Sequence, residues 1–203
     1  MIDYLVKYPD KLITALLEHL EIVVITLIIS LIIAAILTVI CNYSKTVSRV
    51  LVNLFSMIYS IPSLAMFALL IPFTGLGMKT AVIVLVIYNQ YLLLRNFLAG
   101  LDSVDGAIVE AATGMGMTKM QTLIKIKLPL SKSALISGIR IATVSTIGIG
   151  TIAASINAGG LGTILFDGLR TMNIAKIVWG SLLSAVLAVA IDGLLGVVEK
   201  RAG

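Results

Sequence analysis

Two glycine-rich segments of the sequence have the residue types that bind phosphate groups in other proteins. The first reads GMGMTK, from Gly114 to Lys119, and the second reads GIGTIA, from Gly148 to Ala153. The first lacks the G-x-x-x-x-G-K-[ST] register of a phosphate loop, and the sequence contains no Gly-Lys pair. The second lies in a long apolar run, so we expect its small residues to serve helix packing. Neither segment predicts a nucleotide site on this chain.

The other reactive side chains are too few and too scattered for catalysis or metal binding. His19 is the sole histidine and Cys41 the sole cysteine, and no catalytic triad or carboxylate pair is evident. We expect His19 to lie at an interface beside Glu18 and Glu21 rather than to bind a metal. The sequence therefore predicts no enzymatic activity, no cofactor and no metal site.

The stretch from Glu110 to Pro129, EAATGMGMTKMQTLIKIKLP, is polar and lysine-bearing although long apolar runs flank it. We call it the central segment. Asp102 or Ser103 is placed to cap a short helix that ends at its Glu-Ala-Ala triplet. Gly114 and Gly116 are then expected to break that helix, because glycine adopts the positive φ of a sharp turn.

A second short helix is predicted in the same segment. Thr118 and Gln121 have the spacing of a capping box, in which each side chain bonds the other residue's backbone N–H. Proline lacks a backbone N–H, so Pro129 is expected to end this helix. Periodicity alone permits an amphipathic loop on lipid headgroups as readily as an exposed docking element.

The composition surrounding the central segment is that of an integral membrane protein. Of the 203 residues 59% are hydrophobic and 12% charged, and the mean hydropathy is +1.11. A transmembrane helix needs about 20 mostly apolar residues. Five runs qualify and predict an all-α membrane fold: 22–41, 50–70, 78–94, 135–154 and 174–198.

The distribution of lysine and arginine predicts the orientation of these helices. The segments that follow the first, third and fifth runs hold more cations than those on the other side, whose acids cancel their charge. By the positive-inside rule, the N-terminus should lie outside and the C-terminus in the cytosol, together with the central segment. Residues 1–203 are expected to form one transmembrane domain. Its predicted surroundings are membrane lipids, and no binding to nucleic acid is expected.

The order and spacing of residues in the central segment resemble those of a known family. The segment resembles the cytoplasmic coupling loop of the permease subunits of bacterial ATP-binding-cassette importers, of the MetI-like type I class. The loop lies between the third and fourth of five helices, and seven positions match: Glu110, Ala111, Ala112, Gly116, Ile126, Leu128 and Pro129.

Other segments extend the resemblance to the osmoprotectant branch, which imports glycine betaine, carnitine and choline. They read IPSLAMFALLIPFTGLG (61–77), LLRNFLAGLDSVD (93–105) and TIAASINAGGLG (151–162). The likeness covers residues 20–199, with the coupling loop at 102–130. Importers of amino acids and sulfonates share the same coupling loop. The alternatives to an importer subunit are a secondary transporter or channel that works alone, and a membrane scaffold without transport.

The resemblance implies a set of partners. Two permeases, as a homodimer or a heterodimer, would face each other above two ATPase subunits that carry the ATP and Mg. The segment from Glu110 to Pro129, including Gly114, would dock on the ATPase. Because this chain stops at Gly203, we expect a separate extracellular or lipid-anchored substrate-binding protein. The glycines of the outer loop at residues 157–169 permit either a folded loop that receives this protein or a flexible connection.

Several residues in or near the predicted helices are candidates for the transport pathway. Pro62 should bend the second helix. The side chains of Tyr88, Asn89 and Gln90 either face the pathway or lie at the inner membrane interface. Asn157 belongs to the glycine-rich outer loop.

Asp192 is an acid inside the fifth predicted helix. Intramembrane acids are candidates for function, and a paired acid with a structural role is the alternative.

Overall fold

The computed structural model describes Tyr4 and residues 7–202, and the regular structure of these residues is helical. The helices follow one another as α1 Pro9–Tyr43, α2 Lys45–Tyr59, α3 Ser63–Thr74, α4 Met78–Asp102, α5 Gly106–Gly114, α6 Lys119–Thr122, a π-helical turn Leu123–Lys127, α7 Leu128–Leu130, α8 Lys132–Ala153, a 3-10 turn Ala154–Ile156, α9 Gly162–Arg170 and α10 Ile174–Ala202. The all-α fold class is confirmed.

Four of the described helices are long and apolar enough to cross a membrane: α1, α4, α8 with its 3-10 turn, and α10. They coincide with four of the five predicted runs and extend each of them. The remaining run corresponds to α2 and α3, which meet at an angle of 96°. The number of crossings is therefore five if this bent pair counts as one.

The prediction of one continuous helix over 50–70 is wrong. The chain leaves the helix at Ser60 and re-enters it at Ser63, with Pro62 in an extended conformation at φ −56° and ψ 137°. Proline disfavours the helical region for the residue before it, so Ile61 interrupts the run. The bend predicted at Pro62 is confirmed, and neither short helix alone spans the roughly 30 Å of a bilayer core.

The helix α1 is long enough to reach from one end of the molecule to the other. Its 35 residues span roughly 52 Å at 1.5 Å per residue. The end near Pro9 lies beside α9 and the start of α10, where residues of all three line a common cavity. The end near Tyr43 lies beside the central segment. These two regions are therefore at opposite ends of the bundle.

The core forms where α1, α3, α4 and α8 meet. The largest fully buried side chains there include Phe67 of α3, Ile22 of α1 and Leu85 of α4. A second cluster nearer the central segment contains Ala34, Leu93, Phe97 and Ala142. The helix α10 is peripheral, and Gly180 is its buried residue within the described part of the chain.

The expectation that His19 lies at an interface is wrong. Its side chain is fully buried between α1 and α8, and Nε2 is 3.2 Å from the carbonyl oxygen of Ile147. The small residues Gly150 and Gly160 lie against the ring and leave room for it. His19 is therefore a packing residue of the bundle.

Candidate functional site

The helix α5, which leads into the central segment, begins later than the sequence suggested. Its cap is Asp105, whose Oδ1 accepts a hydrogen bond from the backbone N–H of Ala107 at 2.9 Å. The predicted caps are wrong because α4 continues to Asp102, and Ser103 instead bonds the carbonyl of Gly100. The signal that could have located the cap is an aspartate directly before the helix-forming run GAIVEAA.

Gly116 makes the turn between the two short helices. Its φ is +83°, and its N–H bonds the carbonyl of Thr113 at 2.9 Å. The N–H of Met117 bonds the carbonyl of Ala112 at 3.1 Å, which completes a Schellman motif. Gly114 is the last residue of α5 and has no positive φ. The turn predicted at Gly116 is confirmed. The helix ends at Gly114 as predicted, but the positive φ expected there is absent.

The predicted capping box at the start of α6 is confirmed. The N–H of Thr118 donates to Oε1 of Gln121 at 2.8 Å, and the N–H of Gln121 donates to Oγ1 of Thr118 at 3.2 Å. Two N–H groups that the helix itself would leave unpaired are satisfied in this way. The box fixes where the chain becomes helical again after the turn.

Pro129 does not end the helical path as predicted. It lies in the second position of α7, and the π-helical turn Leu123–Lys127 precedes it. In a regular α-helix the proline ring would clash with the carbonyl four residues earlier. The wider π turn removes that clash, so the backbone remains helical until Ser131. Ile126 and Leu128 are half-buried beside it, and Pro129 is exposed.

The central segment is attached to the end of α1. Nζ of Lys119 donates to the carbonyl of Tyr43 at 3.4 Å. A groove of about 360 Å³ lies between them, lined by Asn42, Tyr43, Lys45, Val109, Thr113, Met117, Lys119, Thr122 and Lys127. Three of these side chains are lysines, so the groove is positively charged.

The exposed surface of α5, the central segment and α7 combines one carboxylate with apolar side chains. Glu110 and Ala111 are exposed, and the Glu110 carboxylate has no hydrogen bond or ion pair with Tyr4 or residues 7–202. Met115 is 75% exposed, and Ile108, Ile124 and Leu130 are exposed as well. Ala112 differs from Ala111 because it is 1% exposed and packs against its own chain. An unpaired acid amid apolar side chains is typical of a protein-docking surface.

Asn89 and Gln90 are buried inside the helix bundle. Each is 2% exposed. Nδ2 of Asn89 donates to Oγ1 of Thr146 at 2.9 Å and to Oγ of Ser30 at 3.3 Å, which joins α4 to α8 and α1. Nε2 of Gln90 donates to the carbonyl of Val86 in its own helix at 3.0 Å and to the carbonyl of Ser30 on α1 at 3.4 Å. These amides therefore bind the three helices to one another.

Exchange of Asn89 for alanine is expected to lower the stability of the chain by about 1 kcal/mol, since hydrogen bonds between membrane helices contribute that much. Asn96→Ala is the control, because among the described residues the side chain of Asn96 bonds only the carbonyl of Leu92, in its own helix, at 2.7 Å. The measurement is the midpoint of thermal unfolding in detergent. Equal midpoints for the two variants would show that the Asn89 contacts do not stabilise the bundle.

Tyr88 holds the break between α2 and α3. It is 3% exposed, and its hydroxyl donates to the carbonyl of Ile61, beside Pro62, at 2.5 Å. Its ring also meets that of Tyr59 edge to face, with centroids 5.4 Å apart. Pro62 itself is exposed. Tyr88 therefore supports the bend from inside the bundle.

The opposite end of the molecule carries a polar cavity of about 670 Å³. It lies between the start of α1, α9 and the start of α10. Nζ of Lys176 donates to Oδ2 of Asp167 at 2.6 Å, and this ammonium lowers the pKa of the Asp167 carboxyl below its usual range. Asn157 is exposed at the end of the 3-10 turn, with φ at 61°. Its loop meets the α3–α4 turn through the N–H of Gly77, which bonds the carbonyl of Ile156.

The long apolar helices define the class, which is a multi-pass membrane protein. The chain belongs to the family described as "Binding-protein-dependent transport system inner membrane component", which it matches over residues 26–203. It is a permease subunit of an ABC importer and not an enzyme. ATP hydrolysis in such importers belongs to the ATPase partner, and family membership implies a substrate-binding partner and a second permease.

Several relatives have a stated substrate. The chain is 34% identical to the carnitine transport permease protein OpuCB of Listeria monocytogenes, over 91% of this chain and 84% of that protein. It is 31% identical to the choline transport system permease protein OpuBB of Bacillus subtilis (strain 168), over 99% and 93%.

The fold is similar to solved permease structures. A chain from inward-facing conformations of the MetNI methionine ABC transporter superposes with a TM-score of 0.85 at 22% identity, over 95% of this chain and 96% of that one. A chain of an amino acid ABC transporter crystallised with histidines gives 0.82 at 19% identity, over 97% and 96%. At these identities the likeness shows the MetI-like fold alone.

Proposed function

We propose that this permease imports osmoprotectants of the quaternary ammonium class, such as carnitine, choline and glycine betaine. The supporting observation is its similarity, along most of both chains, to permeases named for carnitine and choline transport. Only 6% of the residues are aromatic, and a cage for a quaternary ammonium needs aromatic faces. High-affinity recognition therefore resides in the separate binding protein, and this chain provides the path.

The central segment is the docking element for the ATPase and faces the cytosol. It carries an unpaired carboxylate and exposed apolar side chains at one end of the bundle. The same end holds the excess of cations, including Lys45, Arg49 and Arg95, that marks the cytosolic side. The N-terminus is then outside and the C-terminus in the cytosol.

The cavity at the opposite end faces outward, toward the binding protein. Charged side chains of both signs line it, including Asp10, Lys11, Glu18, Asp167 and Lys176. A polar and open surface of this kind suits a partner that binds and leaves in every transport cycle. The pathway itself forms between this permease and a second copy or a related chain.

Uptake into proteoliposomes tests the substrate class. The complex of this permease with its ATPase, supplied with its binding protein, is expected to accumulate at least one of radiolabelled carnitine, choline or glycine betaine when ATP is present. Empty vesicles and vesicles without ATP are the controls. ATP-dependent uptake of methionine or histidine, with none of the three quaternary ammonium compounds, would contradict the proposed substrate class.

A further inference from the structure

A cluster of three charged residues joins α8 to α10 near the cytosolic end of the proposed topology. Nε and Nη2 of Arg140 donate to Oδ1 and Oδ2 of Asp192 at 2.9 and 2.8 Å, in a bidentate pair. Nη1 of Arg140 donates to Oε2 of Glu199. The paired interpretation of Asp192 is thereby confirmed, and its partner Arg140 could not be identified from the sequence. We call these three residues the clamp.

The backbone of α10 is shaped to receive the guanidinium. A Cβ atom built on Gly196 would lie 3.3 Å from Cζ of Arg140 and 3.4 Å from Nη2, so the guanidinium rests against bare backbone. Asp192, Gly196 and Glu199 follow one another at spacings of four and three residues, which places them on one face of a helix. Two carboxylates thus flank a gap that fits the planar fork of one arginine.

Removing charged groups from water into membrane helices costs free energy. The hydrogen bonds and ion pairs of the clamp offset this cost, but they form only in one relative position of α8 and α10. Both α8 and α10 have the length and hydropathy of membrane spans. The side chains of Arg140, Asp192 and Glu199 are 28%, 39% and 20% exposed within this chain. Sliding or rotation of α10 against α8 would separate these charges, so the clamp fixes the relative position of the helices.

The clamp also lies close to the point where the central segment meets the bundle. Lys132 begins α8 directly after Ser131, whose buried hydroxyl donates to the carbonyl of Lys127 at 2.7 Å. Arg140 is eight residues further on, or roughly 12 Å along the helix. A displacement of the central segment therefore moves the stretch of α8 that carries Arg140.

We propose that Arg140 is a positioning residue, which transmits the movement of the central segment from α8 to α10 so that both helices move as one body during transport. The inference rests on the proposed docking of the ATPase at the central segment. In this account the clamp remains closed throughout the cycle. Transport fails without it because α10 no longer follows α8.

The first test compares two leucine substitutions in α10. Gly196→Leu places a side chain where the guanidinium lies, whereas a Cβ on Gly193 meets no atom of the described residues within 4 Å. In the purified complex, Gly196→Leu and Arg140→Gln are expected to lower uptake per ATP hydrolysed by about 10-fold, within the range of measured coupling between sites. Gly193→Leu is expected to stay within about twofold of the wild type. Equal uptake per ATP for the two leucine variants would overturn the proposal.

The second test needs no variant of the clamp. Spin labels replace Val144 on α8 and Val197 on α10, both exposed, in a Cys41→Ala background. The distance between the labels is expected to be the same in the nucleotide-free complex and in the vanadate-trapped complex. A distance that changes between these two states would overturn the rigid pairing of the helices.

The two proposals fail in different ways. If the ATPase docks elsewhere, Glu110→Lys leaves ATPase binding intact, and the label distance still reports whether α8 and α10 move together. If only the clamp inference is wrong, ATPase binding depends on Glu110 while Gly196→Leu transports as well as Gly193→Leu.

Discussion

Uptake is expected to fall by about 30-fold or more when Glu110 is replaced by lysine. Its carboxylate is exposed and unpaired within the described residues, and it lies among exposed apolar side chains. A central interface residue contributes about 2 kcal/mol or more, and the substitution reverses the charge at the proposed interface. The measurement is ATP-driven uptake, together with the amount of ATPase that co-purifies with the permease.

Asp102→Lys is the matched control for this experiment. Asp102 is also an exposed acid at the same end of the bundle. It is the first residue of the coupling loop predicted at 102–130, but it belongs to α4 and precedes α5 and the central segment. It is expected to keep uptake and ATPase binding within about twofold of the wild type, as is usual for surface changes outside an interface. Equal losses for both variants would mean that total charge at this end, and not the Glu110 position, controls docking.

The second large effect is expected at Gly116. A β-branched residue at a φ of +83° is strained by about 1–3 kcal/mol, so Gly116→Val should open the Schellman turn and misplace α5. Coupled ATP hydrolysis and uptake should both decrease by about tenfold or more, while the chain still inserts in the membrane. Uptake by the reconstituted complex and membrane abundance are measured together.

Two further variants separate backbone strain from side-chain bulk. Gly116→Asn should retain more uptake than Gly116→Val, because asparagine tolerates positive φ better. Gly114→Ala should lower uptake less than Gly116→Val, since the backbone at Gly114 is helical and no atom of the described residues lies within 4 Å of the added Cβ. Wild-type uptake by Gly116→Val would contradict the role of this turn.

The features that the sequence predicted correctly depend on neighbouring residues. Apolar runs located four continuous membrane helices because length and hydropathy are properties of the segment itself. The box of Thr118 and Gln121 and the turn at Gly116 follow from the chemistry of residues within one or two helical turns. The break at Pro62 follows from the proline ring.

The features that the sequence missed depend on distant parts of the chain. The burial of Ala112 beside an exposed Ala111, and of His19 between two helices, is decided by packing. Asn89 finds its partners 59 and 57 residues away, on α1 and α8. Arg140 meets Asp192 at a separation of 52 residues. Periodicity along one helix contains no information about these contacts.

The π turn before Pro129 is an intermediate case. The proline signal is local and predicted an end to the helix, but the following helix α8 begins only three residues later. In the π turn the N–H of Leu128 bonds the carbonyl of Leu123, five residues earlier instead of four. The helical path therefore continues from the central segment into α8. This continuity matters for the account, because a flexible break there would separate the ATPase contact from the membrane helices.

Photo-crosslinking in the assembled complex shows directly whether the central segment contacts the ATPase. A photoreactive amino acid replaces either Met115, which is 75% exposed in the central segment, or Met172, which is 84% exposed between α9 and α10 at the opposite end. A crosslink to the ATPase is expected from position 115 and none from position 172. A complex that transports with ATP but crosslinks to its ATPase only from position 172 would contradict contact between the central segment and the ATPase.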